Sequence, residues 1–261
     1  MINKIVNIIA VCSVLTLGWG CSSDDDSYDV QTEKPNWHMD ISSDDAAPDW
    51  GVTSAGDYEM TMSLGVKLNS ALAQYASDDD LLAAFVGGVC RGVVSPSVYA
   101  GEATTLASAG LSIVGNAGDG DVTLKYYCKQ LNRIFSLDGW MNFNPNQSPS
   151  QDGSAYVLPF EESLGVVSAQ VTIVLPDGVS VDLASGDELA LLYGGGKCCS
   201  SVAKDGEKQA VLNVLAPRGS ILSVGWYCAS RHIVYEAEET LAINNGGATT
   251  VVVTSFNAVK K

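Results

Sequence analysis

The sequence predicts an all-β protein of two tandem antiparallel, Ig-like β-sandwich domains. Apolar and polar residues alternate over residues 59–68, which is the period-2 pattern of a half-buried strand. Turn-forming runs at residues 116–120, 176–178 and 245–247 separate the strand-like segments. Strand-like blocks of the first half also recur in the same order in the second half. Many short strands at regular spacing favour sandwiches over other classes.

The chain begins with an export-signal pattern. Lys4 precedes an apolar run at residues 5–17, which is too short to span a bilayer, and Gly18 and Gly20 follow it. Cys21 comes next, and the acidic run 24–26 lies just beyond it. We therefore predict that residues 1–20 are a signal peptide.

Cys21 at this position resembles the lipidated first residue of bacterial lipoproteins. The acidic run after it resembles the Ser/Asp-rich export signal of Bacteroidota surface lipoproteins. One departure is Gly18, which stands where that motif usually has leucine. The resemblance implies lipidation at Cys21 and a surface-exposed location on the outer membrane. An ordinary cleaved signal peptide is the alternative.

Residues 21–49 show almost no apolar periodicity and are strongly acidic. Eleven acidic residues lie between Asp24 and Glu59, against the single basic residue Lys34. This composition predicts a disordered tether that holds the globular part away from the membrane. Two Pro-x-Trp units end at Trp37 and Trp50, and both tryptophans are expected to pack on the first domain, with an exposed anchor as the alternative for Trp37.

The internal repeat divides the remainder into a first domain, residues 50–160, and a second, residues 164–257. Residues 79–90 recur as 187–198, residues 124–128 as 224–228, and residues 140–144 as 240–244. Each half has the usual size of a small β-sandwich.

One stretch of the first domain carries a resemblance. The pattern Pro48-x-Trp50, residues 58–62 and the segment AAFVGGVCRG at residues 83–92 resemble a β-sandwich module of Bacteroidota secreted and surface proteins. That module is non-catalytic, which implies a binding or structural role without a defined ligand. The second domain has Cys199-Ser200 where the first has Arg91-Gly92.

Five cysteines remain after the leader and Cys21. Those at equivalent places in the repeats predict two disulfides, Cys90–Cys128 and Cys198–Cys228, because export leads to an oxidising compartment. Strand parity leaves Cys199 unpaired on the opposite face. The alternative is that all five are small buried hydrophobic residues.

Two residue sets contain side chains that can bind metals: Cys198, Cys199, Cys228 and His232 for zinc, and Asn116, Asp119 and Asp121 for calcium. Neither has the ligand spacing of a known site, since adjacent cysteines face opposite sides of a strand. We predict no metal and no cofactor.

Catalysis finds little support. His38 and His232 are the only histidines, and we assign no catalytic residue. A glycoside hydrolase with a carboxylate pair is one alternative, because Asp and Glu are plentiful. The net charge of −16 excludes nucleic acid as a natural partner.

Aromatic residues are the best binding candidates. Trp140, Phe143 and Tyr127 could stack on sugar rings, with core packing as the competing role. The sequence thus predicts a surface lipoprotein with a binding or adhesion role, glycan capture being one form, and polysaccharide or surface proteins as partners. A structural subunit of a surface assembly is the second alternative.

Overall fold

The computed structural model describes residues 30–100, 105–178 and 183–260. The predicted leader, residues 1–20, and the predicted lipidation site, Cys21, lie outside the described residues. β-Strands dominate the fold and confirm the predicted all-β class. Among the described residues, none of the helices has the length and apolar character needed to cross a membrane.

The first sandwich is built from strands β1 to β8. They are β1 (Met60–Leu68), β2 (Leu81–Val86), β3 (Val89–Val94), β4 (Ser97–Ala100), β5 (Thr105–Gly115), β6 (Asp121–Cys128), β7 (Arg133–Asn142) and β8 (Tyr156–Leu158). A one-turn helix, α1 (Ser70–Ala73), follows β1, and 3-10 turns lie at Ala55–Asp57 and Phe160–Leu164. The second of these turns leads directly into the second sandwich.

The second sandwich is built from strands β9 to β16. They are β9 (Val166–Val174), β10 (Glu188–Tyr193), β11 (Lys197–Ala203), β12 (Gln209–Pro217), β13 (Ser220–Cys228), β14 (Ile233–Ile243), β15 (Gly247–Val252) and β16 (Phe256–Ala258).

Both sandwiches share one core topology, to which β4 is added in the first and β16 in the second. The first pairs sheet β3-β2-β6-β7 with sheet β4-β5-β1-β8, and the second pairs β11-β10-β13-β14-β16 with β12-β9-β15. Neighbouring strands are antiparallel, except that β8 runs parallel to β1 and β15 runs parallel to β9. The sequence repeat therefore corresponds to a repeat of the fold.

The strand register corrects one block of the sequence alignment. Leu81 lies opposite Tyr127, and Glu188 lies opposite Tyr227, so Leu81 and Glu188 are equivalent. The alignment of the two repeats by sequence instead matches Asp80 with Glu188, which is an error of one residue. The error arises because the hairpin turn is one glycine longer in the second copy. Gly87 and Gly88 have positive φ in the first copy, whereas all three glycines of residues 194–196 have positive φ in the second.

Each sandwich encloses its own apolar core, and the two meet at a packed junction. Tyr126, Phe135 and Phe160 are the largest fully buried side chains of the first core. Val166 and Leu215, which belong to β9 and β12, are also part of that core. The sandwiches therefore contact each other through apolar side chains as well as through the covalent connection.

Residues 30–49, here called the N-terminal strap, cross both sandwiches. Val30 forms a β-bridge with Ile233, and the Gln31 amide donates to the His232 carbonyl at 2.7 Å. Ile41 is buried in the first core. The prediction of a disordered tether is therefore wrong for these residues, because apolar side chains spaced along the strap bury against the fold.

The strap also bonds to the first sandwich through its backbone. The Ser43 amide donates to the Leu131 carbonyl at 2.9 Å, and the Asp45 carboxylate accepts from the Ile134 amide at 2.8 Å. These bonds lie between β6 and the start of β7. They fix residues 41–45 at the end of the sheet.

The two Pro-x-Trp units dock at equivalent places. Trp50 contacts Phe85 edge-on, with ring centroids 5.7 Å apart, as expected for the start of the first domain. Trp37 packs against Leu192 on the second sandwich, which corrects its predicted contact with the first. Phe85 and Leu192 are equivalent residues, since each lies opposite the cysteine of its hairpin.

Candidate functional site

The predicted aromatic platform on the first sandwich does not form. Phe143 is buried in the first core, where its ring lies against Gly115. Tyr127 is only 4% exposed. Both side chains are therefore unavailable to a ligand, which corrects their assignment as stacking residues. Ile243, the equivalent of Phe143, is likewise buried in the second core.

Trp140 is half-buried and closes an edge of the first sandwich. Its ring meets Tyr156 of β8 edge-on, with centroids 5.7 Å apart. Strands β7 and β8 are terminal strands of the two facing sheets. The contact therefore joins the two sheets, and packing accounts for much of what Trp140 does.

All five cysteines of the described residues are free thiols, so the two predicted disulfides are absent. Cys90 lies opposite Phe85, which in turn lies opposite Thr123 on the strand that ends at Cys128. Strand β2 lies between the strands of these two cysteines. The cysteines are also displaced from each other by about 16 Å along the strand direction, at about 3.3 Å per residue. A bridge needs Cα atoms within about 7 Å.

The same register separates the second pair, because Cys198 lies opposite Leu192 and Leu192 lies opposite Ser223. A β-bulge also reverses the predicted faces of the adjacent cysteines. Cys199 faces the second core, whereas Cys198 lies under Trp37. Burial raises the pKa of Cys198 to about 11 and that of Cys199 to about 12. Both thiols are therefore protonated and unreactive at neutral pH.

Neither candidate metal set forms a site. Among the described residues, no group of three or more His, Cys, Asp or Glu side chains could hold a metal ion. The Asn116 side chain accepts from the Glu59 amide at 3.1 Å, and Asp119 accepts from the Asn116 amide at 2.8 Å. The His232 ring bonds instead to the Tyr227 hydroxyl at 3.2 Å.

The loop of Asp119 instead supports Arg91 of the AAFVGGVCRG segment. The Arg91 guanidinium lies 3.9 Å from the centroid of the Tyr58 ring and 3.7 Å from the Asp119 carboxylate. This arrangement is a packing contact that combines a cation–π interaction with a loose ion pair.

The buried carboxylates are structural. Asp80 accepts from the Tyr126 hydroxyl at 2.5 Å, and Asp187 accepts from the Trp226 indole at 3.1 Å. Glu188 pairs with Lys34 of the strap. Each of these three carboxylates is therefore engaged by a donor of the fold itself.

An open groove of about 700 Å³ crosses the outer face of the five-stranded sheet. We call it the outer groove. The strap supplies Gln31, Pro35 and Trp37, and the sheet supplies residues including Tyr193, Ser223, Glu236 and Thr240. The glycine turn at residues 194–196 forms part of its rim without side chains.

Trp37 is held in place at the outer groove by a glycine. A Cβ atom on Gly225 would lie 3.5 Å from the Trp37 ring and 2.9 Å from the Leu192 side chain. The Ser201 hydroxyl also donates to the Trp37 carbonyl at 2.9 Å. Gly225 therefore lets the indole approach the sheet closely and fixes it as one wall of the groove.

A second space of about 390 Å³ lies on the other side of Trp37. Its lining includes His38, Asp40, Tyr193 and Lys197. Because Tyr193 and Gly196 line both spaces, the two are neighbours along the strap. Together they provide aromatic surface, hydroxyl groups and a few charged groups, as small-molecule and sugar sites do.

Sequence reasoning missed this site because it treated the strap as a tether. The sequence predicts a contact of Trp37 with the first domain, because its actual partner Leu192 lies far from it in the sequence. Thr240 was noted only as the counterpart of Trp140. The one available signal was that two Pro-x-Trp units precede two repeats.

The fold and groove define a two-domain β-sandwich protein with an open, aromatic-walled surface site. No known protein family matches the chain, and no curated protein resembles it. Several solved structures share a loose likeness. One is a BSP domain of a biofilm-associated protein, at 12% identity and a TM-score of 0.20, covering 65% of this chain and 25% of that one.

Two further structures resemble the chain at similar levels. The shaft pilin SpaA from Lactobacillus rhamnosus GG is 9% identical over 75% of this chain and 98% of that one, with a TM-score of 0.26. The family CBM26 module CBMbc from Eubacterium rectale Amy13K, solved with maltoheptaose, is 8% identical over 77% and 97%, with a TM-score of 0.23. Likenesses this distant carry no argument about function.

Proposed function

We propose that the protein is a surface lipoprotein that binds a carbohydrate chain in the outer groove. The observation that carries the proposal is the open space of about 700 Å³ between Trp37 of the strap and the outer sheet face. Sugar rings offer apolar C–H faces to aromatic rings and hydroxyls to polar groups. Trp37 supplies the first kind of partner, and Ser223 and Thr240 supply the second.

The openness of the groove favours a chain over a single sugar. A groove open at the surface admits an internal segment of a polymer, whereas an enclosed pocket admits only a small molecule or a chain end. Among the described residues that line it, Glu236 alone is charged. We therefore favour a neutral polysaccharide, since an acidic one would be repelled by this carboxylate and by the net charge of −16.

The anchoring part of the proposal rests on the leader and Cys21. A lipid on Cys21 would hold the chain at the outer membrane, and the strap begins at Val30 on the second sandwich. The connection between them can span at most about 32 Å when fully extended. The second sandwich would therefore stay near the membrane, with the first held farther out by the strap.

A glycan microarray followed by calorimetric titration tests the binding role. We expect a neutral polysaccharide to bind, Trp37→Ala to weaken binding by about tenfold or more, and Thr240→Ala to weaken it by about fivefold. Trp50→Ala is the matched control, because it removes the equivalent strap anchor on the first sandwich. Binding that is unchanged in both groove variants would rule out the outer groove.

Cell fractionation tests the anchor separately. We expect Cys21→Ser to release the protein from the membrane fraction and to remove the acyl mass from its N-terminal peptide. A variant that stays membrane-bound with unchanged mass would disprove lipidation at Cys21. Cys90→Ser is the control, because Cys90 lies within the folded first sandwich.

A further inference from the structure

A cavity of about 270 Å³ lies where the strap and both sandwiches meet. We call it the junction cavity. Its walls include Met39 of the strap, Tyr75 and Gln130 of the first sandwich, and Ser200 and Leu215 of the second. Sites for small molecules occur preferentially at such interfaces between domains.

The fold holds the walls of the junction cavity in place. The Ser201 hydroxyl donates to the Trp37 carbonyl at 2.9 Å, which binds the strap to the second sandwich. The Ser43 amide donates to the Leu131 carbonyl at 2.9 Å, which binds the strap to the first sandwich. Met39 lies between these two attachments, so the cavity is formed before any ligand enters and binding costs little ordering of the chain.

Three side chains of the lining have hydrogen-bonding groups that the fold does not use. No hydrogen bond between described residues involves the Tyr75 hydroxyl, the Gln130 side-chain amide or the Ser200 hydroxyl. Each hydroxyl can donate and accept, and the amide has both donors and an acceptor. A ligand whose own polar groups both donate and accept, as alcohol groups do, therefore matches all three.

The Tyr75 hydroxyl is enclosed between the two sandwiches. Burial is the main cause that raises the pKa of Tyr75, and the Cys198 thiol of the second sandwich is the next. Tyr75 itself comes just after α1 of the first sandwich, so its side chain extends across the junction. The hydroxyl therefore stays protonated at neutral pH and is available as a donor inside the cavity.

The charge and size of the junction cavity limit what it can hold. The described residues that line it include His38 but no Asp, Glu, Lys or Arg. An ionic ligand would therefore lose its hydration without gaining a fixed opposite charge. The volume of about 270 Å³ is just below the range of about 300–1,000 Å³ that is typical of sites for drug-sized molecules. It suits one small ring and excludes a segment of polymer.

We propose that the junction cavity binds one neutral monosaccharide. The hydroxyls of a sugar ring donate to and accept from Tyr75, Gln130 and Ser200. The C–H groups of the ring pack on the apolar side chains of Met39 and Leu215. The bound sugar contacts the strap and both sandwiches at once. The site is separate from the outer groove and does not depend on a polysaccharide there.

Calorimetric titration of the full chain, purified in a detergent without a sugar headgroup, tests the site. The probes are glucose, galactose, mannose and N-acetylglucosamine, with galacturonate as the acidic comparison. We expect at least one neutral sugar to bind, and more tightly than galacturonate, because the described lining has no Lys or Arg to pair with a carboxylate. Tyr75→Phe and Ser200→Ala should each weaken this binding by about three- to tenfold through one lost hydrogen bond. Tyr99→Phe is the matched control, since Tyr99 is exposed and does not line the cavity.

Thr240→Ala separates the two sites, because Thr240 lines the outer groove and not the junction cavity. It should leave monosaccharide binding unchanged. Hydrogen exchange on the wild type gives a readout without any variant, since the bound sugar should slow exchange of the amides of Met39 and Gln130. The proposal is overturned if no neutral sugar binds at millimolar concentration, which would mean that the cavity holds only water. Equal losses in Tyr75→Phe and Tyr99→Phe, or a loss in Thr240→Ala alone, would overturn it too. None of these results bears on polysaccharide binding in the outer groove, which is titrated separately.

Discussion

The Tyr126 hydroxyl donates a 2.5 Å hydrogen bond to the buried carboxylate of Asp80. Trp226 makes the same contact with Asp187 in the second sandwich, at 3.1 Å. Backbone amides complete both sites: Ser77 and Lys129 donate to Asp80, and Ala184 and Ala229 donate to Asp187. Each carboxylate therefore ties the loop before one strand to the end of the neighbouring strand, and its donors compensate for burying the charge.

This geometry predicts the effect of Tyr126→Phe. The change leaves the ring in the core but removes one donor from a buried carboxylate, so the free energy of unfolding should fall by about 1–3 kcal/mol. Urea denaturation measures it. Tyr127→Phe is the control, because its hydroxyl makes no bond to Asp80. Equal losses in both variants would contradict the structural role of this bond.

Gly92 of the AAFVGGVCRG segment permits a close approach between β3 and β5. A Cβ atom there would lie 2.2 Å from the Ser112 carbonyl oxygen, which is backbone and cannot move aside easily. Gly92→Ala should therefore destabilise the first sandwich by about 1–3 kcal/mol or more. Gly110→Ala on β5 is the control, because a Cβ atom there meets nothing within 4 Å. Similar melting temperatures for the two variants would refute the close approach.

Glu161 lies in the 3-10 turn between the sandwiches, where the Asn69 side chain donates to it. Burial raises its pKa from 4.5 to about 7. Ionisation therefore costs more in the folded state than in the unfolded one. The stability contributed by the protonated form is fully present below pH 4.5 and is lost as the pH rises through about 7.

Glu161→Gln should remove this pH dependence. The glutamine keeps an oxygen acceptor for Asn69 but cannot ionise, so the variant should be more stable than the wild type at pH 8 by about 2–3 kcal/mol. Denaturation curves at several pH values measure the slope. An exposed glutamate away from this turn provides the control, as Glu59→Gln should retain the wild-type slope. A wild-type slope in Glu161→Gln would show that another group titrates.

The thiols offer a direct chemical test. Denaturation without a reductant should expose free thiols at Cys90, Cys128, Cys198, Cys199 and Cys228 to alkylation. A reductant should leave the melting temperature unchanged, because no bridge constrains the unfolded chain. A peptide that links Cys90 to Cys128 would contradict the strand register.

The sequence predicted the fold class well because period-2 alternation and repetition are local signals. It also placed Trp140 and Thr240 at equivalent positions, which the register confirms: Met141 lies opposite Val122, and Leu241 lies opposite Leu222. Such correspondences survive small changes in loop length. They require only that blocks keep their order.

The predictions that failed concern features that a local sequence pattern does not encode. Strict alternation along the strand predicts that Cys198 faces the core. A β-bulge in this strand pair reverses the alternation, so that Cys199 faces the core instead. The paired cysteines looked matched because they recur, although each pair lies at opposite ends of two strands that a third strand separates. The strap was missed because its contacts join residues far apart in sequence, such as Trp37 and Leu192.

A comparison of Trp140 with Thr240 distinguishes a structural role from a ligand-binding role. They occupy equivalent positions, but Trp140 packs on Tyr156 across a sandwich edge, whereas Thr240 lines the outer groove. Trp140→Ala should lower the free energy of unfolding by about 1–3 kcal/mol, less than for a fully buried tryptophan, because the ring is half-buried. It should leave glycan binding unchanged.

Thr240→Ala should do the reverse. The side chain is exposed, so its loss should barely alter the melting temperature, whereas glycan affinity should fall about fivefold through one lost hydrogen bond. A thermal melt beside a titration with the same glycan measures both effects in each variant. If Trp140→Ala instead abolishes binding at an unchanged melting temperature, the ligand lies on the first sandwich, and the outer groove is not the site.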